Sequence, residues 1–384
     1  MPEVVHPVAG VRIGTACAGI KQSSRDDLAL FVFDPGTQIA GVYTQSHFAA
    51  APVVVAKENE KSSLSWIVNS GNANAATGYR GETDARKTCE LVAERLSLPN
   101  NSVQPFSTGV IGEFLPMSRV AEAVAEASSK LTPGKWERAA TAIMTTDTHP
   151  KVASASVGPA TIVGIAKGVG MIEPNMATMI AVITTDAEIN SDRLDEIFRR
   201  IVDKTFNALS VDTDTSTSDM AIVLASGQAG AVAEDQFESA LAAVCLSLTR
   251  QLAADGEGAE TLIVVDVTSA RDEEQARRVA KAIVNSPLVK TAIHGRDPNW
   301  GRVAMAIGKC GDADINQQDV AIYFGDHEVY PTPVSPQKLT ELETYLGSDE
   351  VRITADLGVG NGTFTAYGCD LTDGYVRINA DYTT

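Results

Sequence analysis

Histidine and cysteine are sparse in this chain, and most familiar catalytic signatures are missing with them. Five cysteines stand among 384 residues, odd in number, far apart and with no CxxC, so neither a disulfide framework nor a thiolate zinc site is expected. The five histidines, His6, His47, His149, His294 and His327, form no HExxH and no His/Cys pair at ligand spacing. No metal is expected on that ground. There is no GxSxG elbow and no Walker loop, and Lys167-Gly168-Val169-Gly170 lacks the dinucleotide fingerprint. Positive charge is also in deficit: 31 Lys and Arg against 49 Asp and Glu leave a net charge of -18. Such a surface repels phosphate backbones and anionic lipid, so no nucleic acid and no membrane are expected as partners. Apolar runs such as residues 262–265 are far too short to span a bilayer. The first residues lack the basic and apolar regions of a secretory signal, and a reducing cytoplasm is the expected compartment.

What is present is an ordinary globular composition, 44% apolar and 21% charged, in a chain long enough for a sizeable core. Short segments rich in β-branched residues predict strands over 161–166, 178–184, 220–225 and 261–267. Apolar residues at helical spacing predict helices over 119–130, 191–208, 234–254 and 272–285. Residues 351–381 read as three strands, broken at 358–362 and at Asp373-Gly374. The expected class is α/β or α+β, with layered sheets and helices. Internal boundaries are soft, with 116–134 and 325–336 as candidates.

The informative segment is residues 166–180, a Gly- and Pro-containing stretch that runs into an apolar strand beginning at Thr178. A strand-initiating threonine is on its own an ordinary β-former. An irregular loop can also deliver its hydroxyl to the mouth of a sheet. Attack of that hydroxyl on the Ala177 carbonyl, followed by hydrolysis, would free the Thr178 amine. A threonine with a free α-amine carries its general base beside its nucleophile, which removes the need for a histidine.

The stretch 167–178 resembles the self-processing site of the ArgJ family, the ornithine acetyltransferases (glutamate N-acetyltransferases) of arginine biosynthesis. The likeness extends along nearly the whole chain. It includes Ala18-Gly19-Ile20-Lys21 with Asp27-Leu28-Ala29-Leu30, the Asn/Ala-rich turn 69–75, and Ser107-Thr108-Gly109-Val110-Ile111-Gly112-Glu113. Met144-Thr145-Thr146-Asp147-Thr148, Asp255-Gly256-Glu257-Gly258-Ala259, Asp297-Pro298-Asn299-Trp300-Gly301-Arg302 and the end from Ile378 match in order. Three positions depart from the pattern: Ala76 where cysteine is common, Glu260 where threonine is common, and the basic His294-Gly295-Arg296 before Asp297.

The resemblance implies a layered α/β sandwich shared with self-processing aminopeptidases. It also implies cleavage into fragments 1–177 and 178–384 and an assembly of two of each. It assigns Thr178 as nucleophile and Thr108 and Gly109 as the oxyanion hole, although by sequence alone 107–109 reads equally as a turn. Thr145, Lys167, Glu257, Asn379 and Thr384 are the matching substrate-binding positions, with Thr146 nearly as good a match as Thr145. By spacing alone Lys167 could be a solvated lysine and Glu257 a loop residue. The implied substrates are N-acetylornithine and glutamate, with acetyl-CoA a conceivable acetyl donor and no cofactor expected. A chain end that lines a site implies a last strand tied down to the fold. An N-terminal-nucleophile aminopeptidase and a non-catalytic ligand-binding relative are the rival readings.

Overall fold

A computed structural model describes residues 7–173 and 179–381. Ala177, Thr178 and Thr384 lie outside the described residues. Among the described residues the strands form three sheets. The first has the order Val11–Ala16, Leu28–Phe33, Ser65–Asn72, Val103–Val110, and its last two strands run parallel. The second has the order Gln38–Tyr43, Met220–Ala231, Ile180–Glu188, Ala160–Lys167, Lys151–Val157. The third has the order His327–Tyr330, Ala321–Phe324, Glu350–Asp356, Leu262–Ala270, Gly362–Cys369.

The first two sheets pack face to face. Phe31, Phe33, Trp66, Val68 and Phe106 of the first meet Val163, Ile165, Val182, Ile222 and Leu224 of the second. Trp136, at the start of the helix Trp136–Ile143, closes the same cluster. On its other face the first sheet lays Leu28, Leu30, Val32 and Ile67 against the helices Gly78–Leu96 and Met117–Ser129. On the far face of the second sheet, Ile162, Ala181, Ile183 and Val223 pack against the helices Ser191–Lys204 and Glu234–Ala254. The third sheet joins that same cluster through Ile263, Val265 and Ile353, with the helix Glu273–Val284 upon it. The layered α/β arrangement is the one expected. Because the second sheet is covered on both faces, Ile180–Glu188 is buried at every position except its last. Such a strand carries no polar alternation.

Most predicted elements recur with shifted ends. The helix expected over 191–208 stops at Lys204, where Thr205 leaves helical geometry and turns its Oγ1 back to the Ile201 carbonyl. The larger correction is at the C-terminus. The third strand expected within 351–381 is instead the helix Asp373–Asp381. Thr372 Oγ1 accepts the Gly374 N–H at 3.0 Å, and Arg377 pairs with Asp373 one turn away, both of which favour a helix start. The candidate boundary at 116–134 falls on the helix Met117–Ser129, which buries Val120, Ala123, Val124 and Ala127 in the core. The 325–336 segment contains the hairpin strand His327–Tyr330.

Candidate functional site

The parallel strands Ser65–Asn72 and Val103–Val110 end side by side, with a bulge at Gly71/Asn72. Gly109 has φ +130°, and a Cβ there would lie 2.3 Å from the Gly71 carbonyl carbon. Both facts exclude any other residue at this close approach. The Asn/Ala-rich turn is the scaffold beneath it. Ser107 Oγ donates to Asn69 Oδ1 at 2.6 Å, Asn69 Nδ2 to the Asn72 carbonyl at 2.8 Å, and Asn72 Nδ2 to the Glu113 carbonyl at 3.2 Å. These amides take over pairing that the irregular backbone lacks. Thr108 is thereby presented at the strand end.

Lys167 ends the strand Ala160–Lys167 and pairs in register with Ile180, two residues beyond Thr178. Its Nζ donates to Thr108 Oγ1 at 3.0 Å. With its oxygen engaged by a cation, the Thr108 hydroxyl is left to donate its own proton and is a stronger donor for it. Burial pushes the Lys167 ammonium below its ordinary range, against the pull of Asp147. Asp147 is itself buried but is held down to about 2 by Lys167 and Lys151. Asp147 Oδ1 accepts from Lys151 Nζ at 2.7 Å and from the Gly168 N–H at 2.8 Å, and its Oδ2 accepts the Thr145 N–H at 2.9 Å. Lys151 also reaches Asp255 Oδ2 at 2.5 Å. One buried charge cluster therefore fixes the Thr145 loop, Lys167 and the turn before Glu257 relative to one another.

Glu257 follows the helix Glu234–Ala254, and its N–H donates to the Val169 carbonyl at 2.8 Å. Its Oε1 accepts from Thr146 Oγ1 at 3.0 Å and its Oε2 from Asn379 Nδ2 at 2.8 Å. A Cβ on Gly170 would sit 2.5 Å from Glu257 Oε2, so the carboxylate fills the space that this glycine leaves. Thr108, Gly109, Thr145, Lys167, Glu257 and Asn379 all line one cleft of about 290 Å³, together with Thr146, Asp212 and Tyr375. Asn379 reaches it from a helix rather than from the expected strand.

The cleft also includes Met171, shortly before the stretch 174–178 that lies outside the described residues. Before it, Asp212 accepts the N–H groups of Met171 at 2.6 Å and Ile172 at 2.7 Å, and the Glu173 N–H donates to the Asp214 carbonyl at 2.9 Å. Beyond it, the Met179 carbonyl accepts the Met220 N–H at 2.9 Å. Asp219, the residue before Met220, is buried, and among the described residues its Oδ2 has no hydrogen-bond partner. Burial raises its carboxyl well above the ordinary range, although Ser216 and Lys167 oppose the shift. Asp219 and Asp212 carried no sequence signal, because nothing in their spacing sets them apart from surface aspartates. The Asp297–Arg302 motif does not line the cleft: it leads into the helix Trp300–Gly308, where Arg302 bonds the Leu288 carbonyl at 2.7 Å.

The motifs that build the cleft are those of one family. The sequence profile of the ArgJ family matches residues 12–384. The chain is 49% identical over 383 residues to glutamate N-acetyltransferase Oat2 of Streptomyces clavuligerus, with 98% of each chain covered. It is 48% identical over 372 residues to arginine biosynthesis bifunctional protein ArgJ 2 of Nostoc sp., with 95% of each covered. Among solved structures it resembles the arginine biosynthesis bifunctional protein ArgJ of Bacillus halodurans at 44% identity and a TM-score of 0.49, covering 52% of this chain and 97% of that one. With its family profile spanning the chain from Arg12 onward and relatives at this identity along their full length, the chain belongs to the ArgJ family.

Proposed function

We propose that this chain transfers an acetyl group from N-acetylornithine to glutamate through an ester on Thr178, after cutting its own Ala177–Thr178 bond. The observation that carries this reading is the pairing of the Lys167 ammonium with the Thr108 hydroxyl, in the cleft where Glu257 supplies the opposite charge. In the first half-reaction the Thr178 hydroxyl adds to the acetyl carbonyl and the Thr178 amine takes its proton. Thr108 and the Gly109 N–H stabilise the oxyanion. Collapse expels ornithine, whose amine receives that proton. In the second, the glutamate amine attacks the ester and regenerates the hydroxyl through the same oxyanion hole. Lys167 retains N–H donors for a substrate carboxylate, while Glu257, held by Thr146 and Asn379, is set to receive an amino group. The reaction needs no metal or organic cofactor. Acetyl-CoA would be an alternative donor in the first half-reaction. The functional assembly is two copies of each fragment, in the cytoplasm; among the described residues no helix is long and apolar enough to cross a membrane.

The test is to express wild type and Thr178→Ala, weigh both by intact mass, and measure transfer from acetylornithine and from acetyl-CoA separately. Wild type should give two fragments and acetylglutamate. Thr178→Ala should remain one uncut, inactive chain. A cut and active alanine variant removes Thr178 from the chemistry. Release of p-nitroaniline from amino-acid anilides without transfer would instead make the protein an aminopeptidase.

A further inference from the structure

Glu260 and His294, distant in sequence, meet in space. Glu260 stands three residues beyond Glu257, His294 closes the helix Pro287–His294, and Asp370 follows the strand Gly362–Cys369. His294 Nδ1 lies 3.3 Å from Asp370 Oδ2 and 3.7 Å from Glu260 Oε2. All three donor atoms fall within 4.8 Å of one another. A tetrahedral cation with bonds of about 2.0–2.1 Å separates its ligands by about 3.3 Å, the His294–Asp370 spacing here, and the wider approach of Glu260 needs only a small side-chain adjustment because that residue is exposed.

Asp370 is the buried member of this group. Its side chain is 0% exposed, and its Oδ1 accepts the N–H groups of Glu260 at 2.9 Å and Thr261 at 3.0 Å. Those two bonds fix the carboxylate and turn Oδ2 toward His294. Among the described residues Oδ2 has no hydrogen-bond partner, despite the 3.3 Å approach of Nδ1. A buried carboxylate oxygen that makes an ion-pair contact but no hydrogen bond is incompletely satisfied. The neighbouring cation Lys290 is engaged elsewhere, its Nζ donating to the Val211 carbonyl at 2.9 Å. The His294 and Glu260 side chains are 38% and 70% exposed, which leaves a path for a cation and for water.

We propose that Glu260, His294 and Asp370 bind one divalent cation of the zinc class, with water completing a tetrahedral shell. Imidazole with carboxylate oxygen suits Zn²⁺ and Co²⁺. The cation ties together the turn that carries Glu257, the end of the helix Pro287–His294, and the segment leading to the helix of Asn379. It is structural and takes no part in acetyl transfer.

The experiment uses full-length protein stripped with a chelator and titrated with Zn²⁺ by calorimetry, with thermal unfolding measured in parallel. Wild type should bind one equivalent and unfold at higher temperature with zinc than without. Glu260→Gln and His294→Gln change exposed side chains, so both should fold, and each should weaken binding by at least about tenfold. With Co²⁺ as probe, the visible bands should appear without the thiolate charge-transfer band that cysteine ligation would add. No uptake by wild type, wild-type affinity in either variant, or a thiolate band would each overturn the assignment.

Discussion

In the proposed reaction Thr108 acts in the transition state more than in binding, because its oxygen is already engaged by Lys167 at 3.0 Å and only its proton is free to face the cleft. Thr108→Ala should therefore lower kcat by roughly 10²–10³ with a smaller change in KM. A loss confined to KM would show that Thr108 only shapes the pocket. Lys167 must be charged for this arrangement to hold, and burial moves its deprotonation below the ordinary lysine range. Activity should accordingly fall on the alkaline side at a lower pH than an ordinary lysine would set. Lys167→Arg stays charged throughout, so any activity it retains should lose that alkaline limb. An unchanged alkaline limb in the arginine variant would assign the titration to another group. Asp147 sets the opposite limit. Held down to about 2 against an unfolded value of about 4, it stabilises the fold fully above pH ~4, and this contribution is lost as the pH falls toward 2.

At the level of elements, the C-terminal helix packs closely on one glycine. Gly258 has φ +71°, and a Cβ there would sit 2.4 Å from the Tyr375 N and 2.6 Å from the Gly374 carbonyl carbon. Gly258→Ala must displace the helix Asp373–Asp381 and with it the Asn379 bond to Glu257. It should raise KM and cost about 1–3 kcal/mol of stability in thermal or urea unfolding. Gly311 also has positive φ (+73°) but nothing within 4 Å of a Cβ, so Gly311→Ala is the control that carries backbone strain alone. Equal effects in the two variants would remove the helix contact from the argument. The same helix shows where sequence reading stops. Tyr375, Val376 and Ile378 look like a strand because β-branched and aromatic residues favour one, whereas what decides is the Thr372 bond to Gly374 and the close seat on Gly258. Periodicity was sufficient for Glu234–Ala254 and Glu273–Val284, which bury one face. It was silent for Leu28–Phe33, whose six residues are all buried and show no alternation. The cleft residues in sequence motifs were legible as types in order. Asp212, Asp219 and the Glu260–His294–Asp370 cluster were not, because each depends on contacts between distant segments.

Over the whole molecule, the bond between residues 177 and 178 divides the sequence but not the core. In the second sheet, Gln38–Tyr43 precedes that bond and pairs with Met220–Ala231, which follows it. Ala160–Lys167 pairs in turn with Ile180–Glu188, again across the division. The two sides also share one hydrophobic cluster, in which Trp66, Phe106 and Trp136 meet Val182, Ile222 and Leu224. Separating the fragments would expose an interior rather than an interface, and the exposed apolar surface would cost about 25 cal/mol per Å². The cut fragments should therefore purify together on size exclusion and unfold in one cooperative transition by calorimetry, with intrinsic fluorescence and far-UV signals coinciding. Urea sufficient to unfold the chain should be the mildest condition that parts them. If the fragments separate in native buffer, or melt in two independent steps, then the shared sheet does not hold the halves together and each must carry a core of its own.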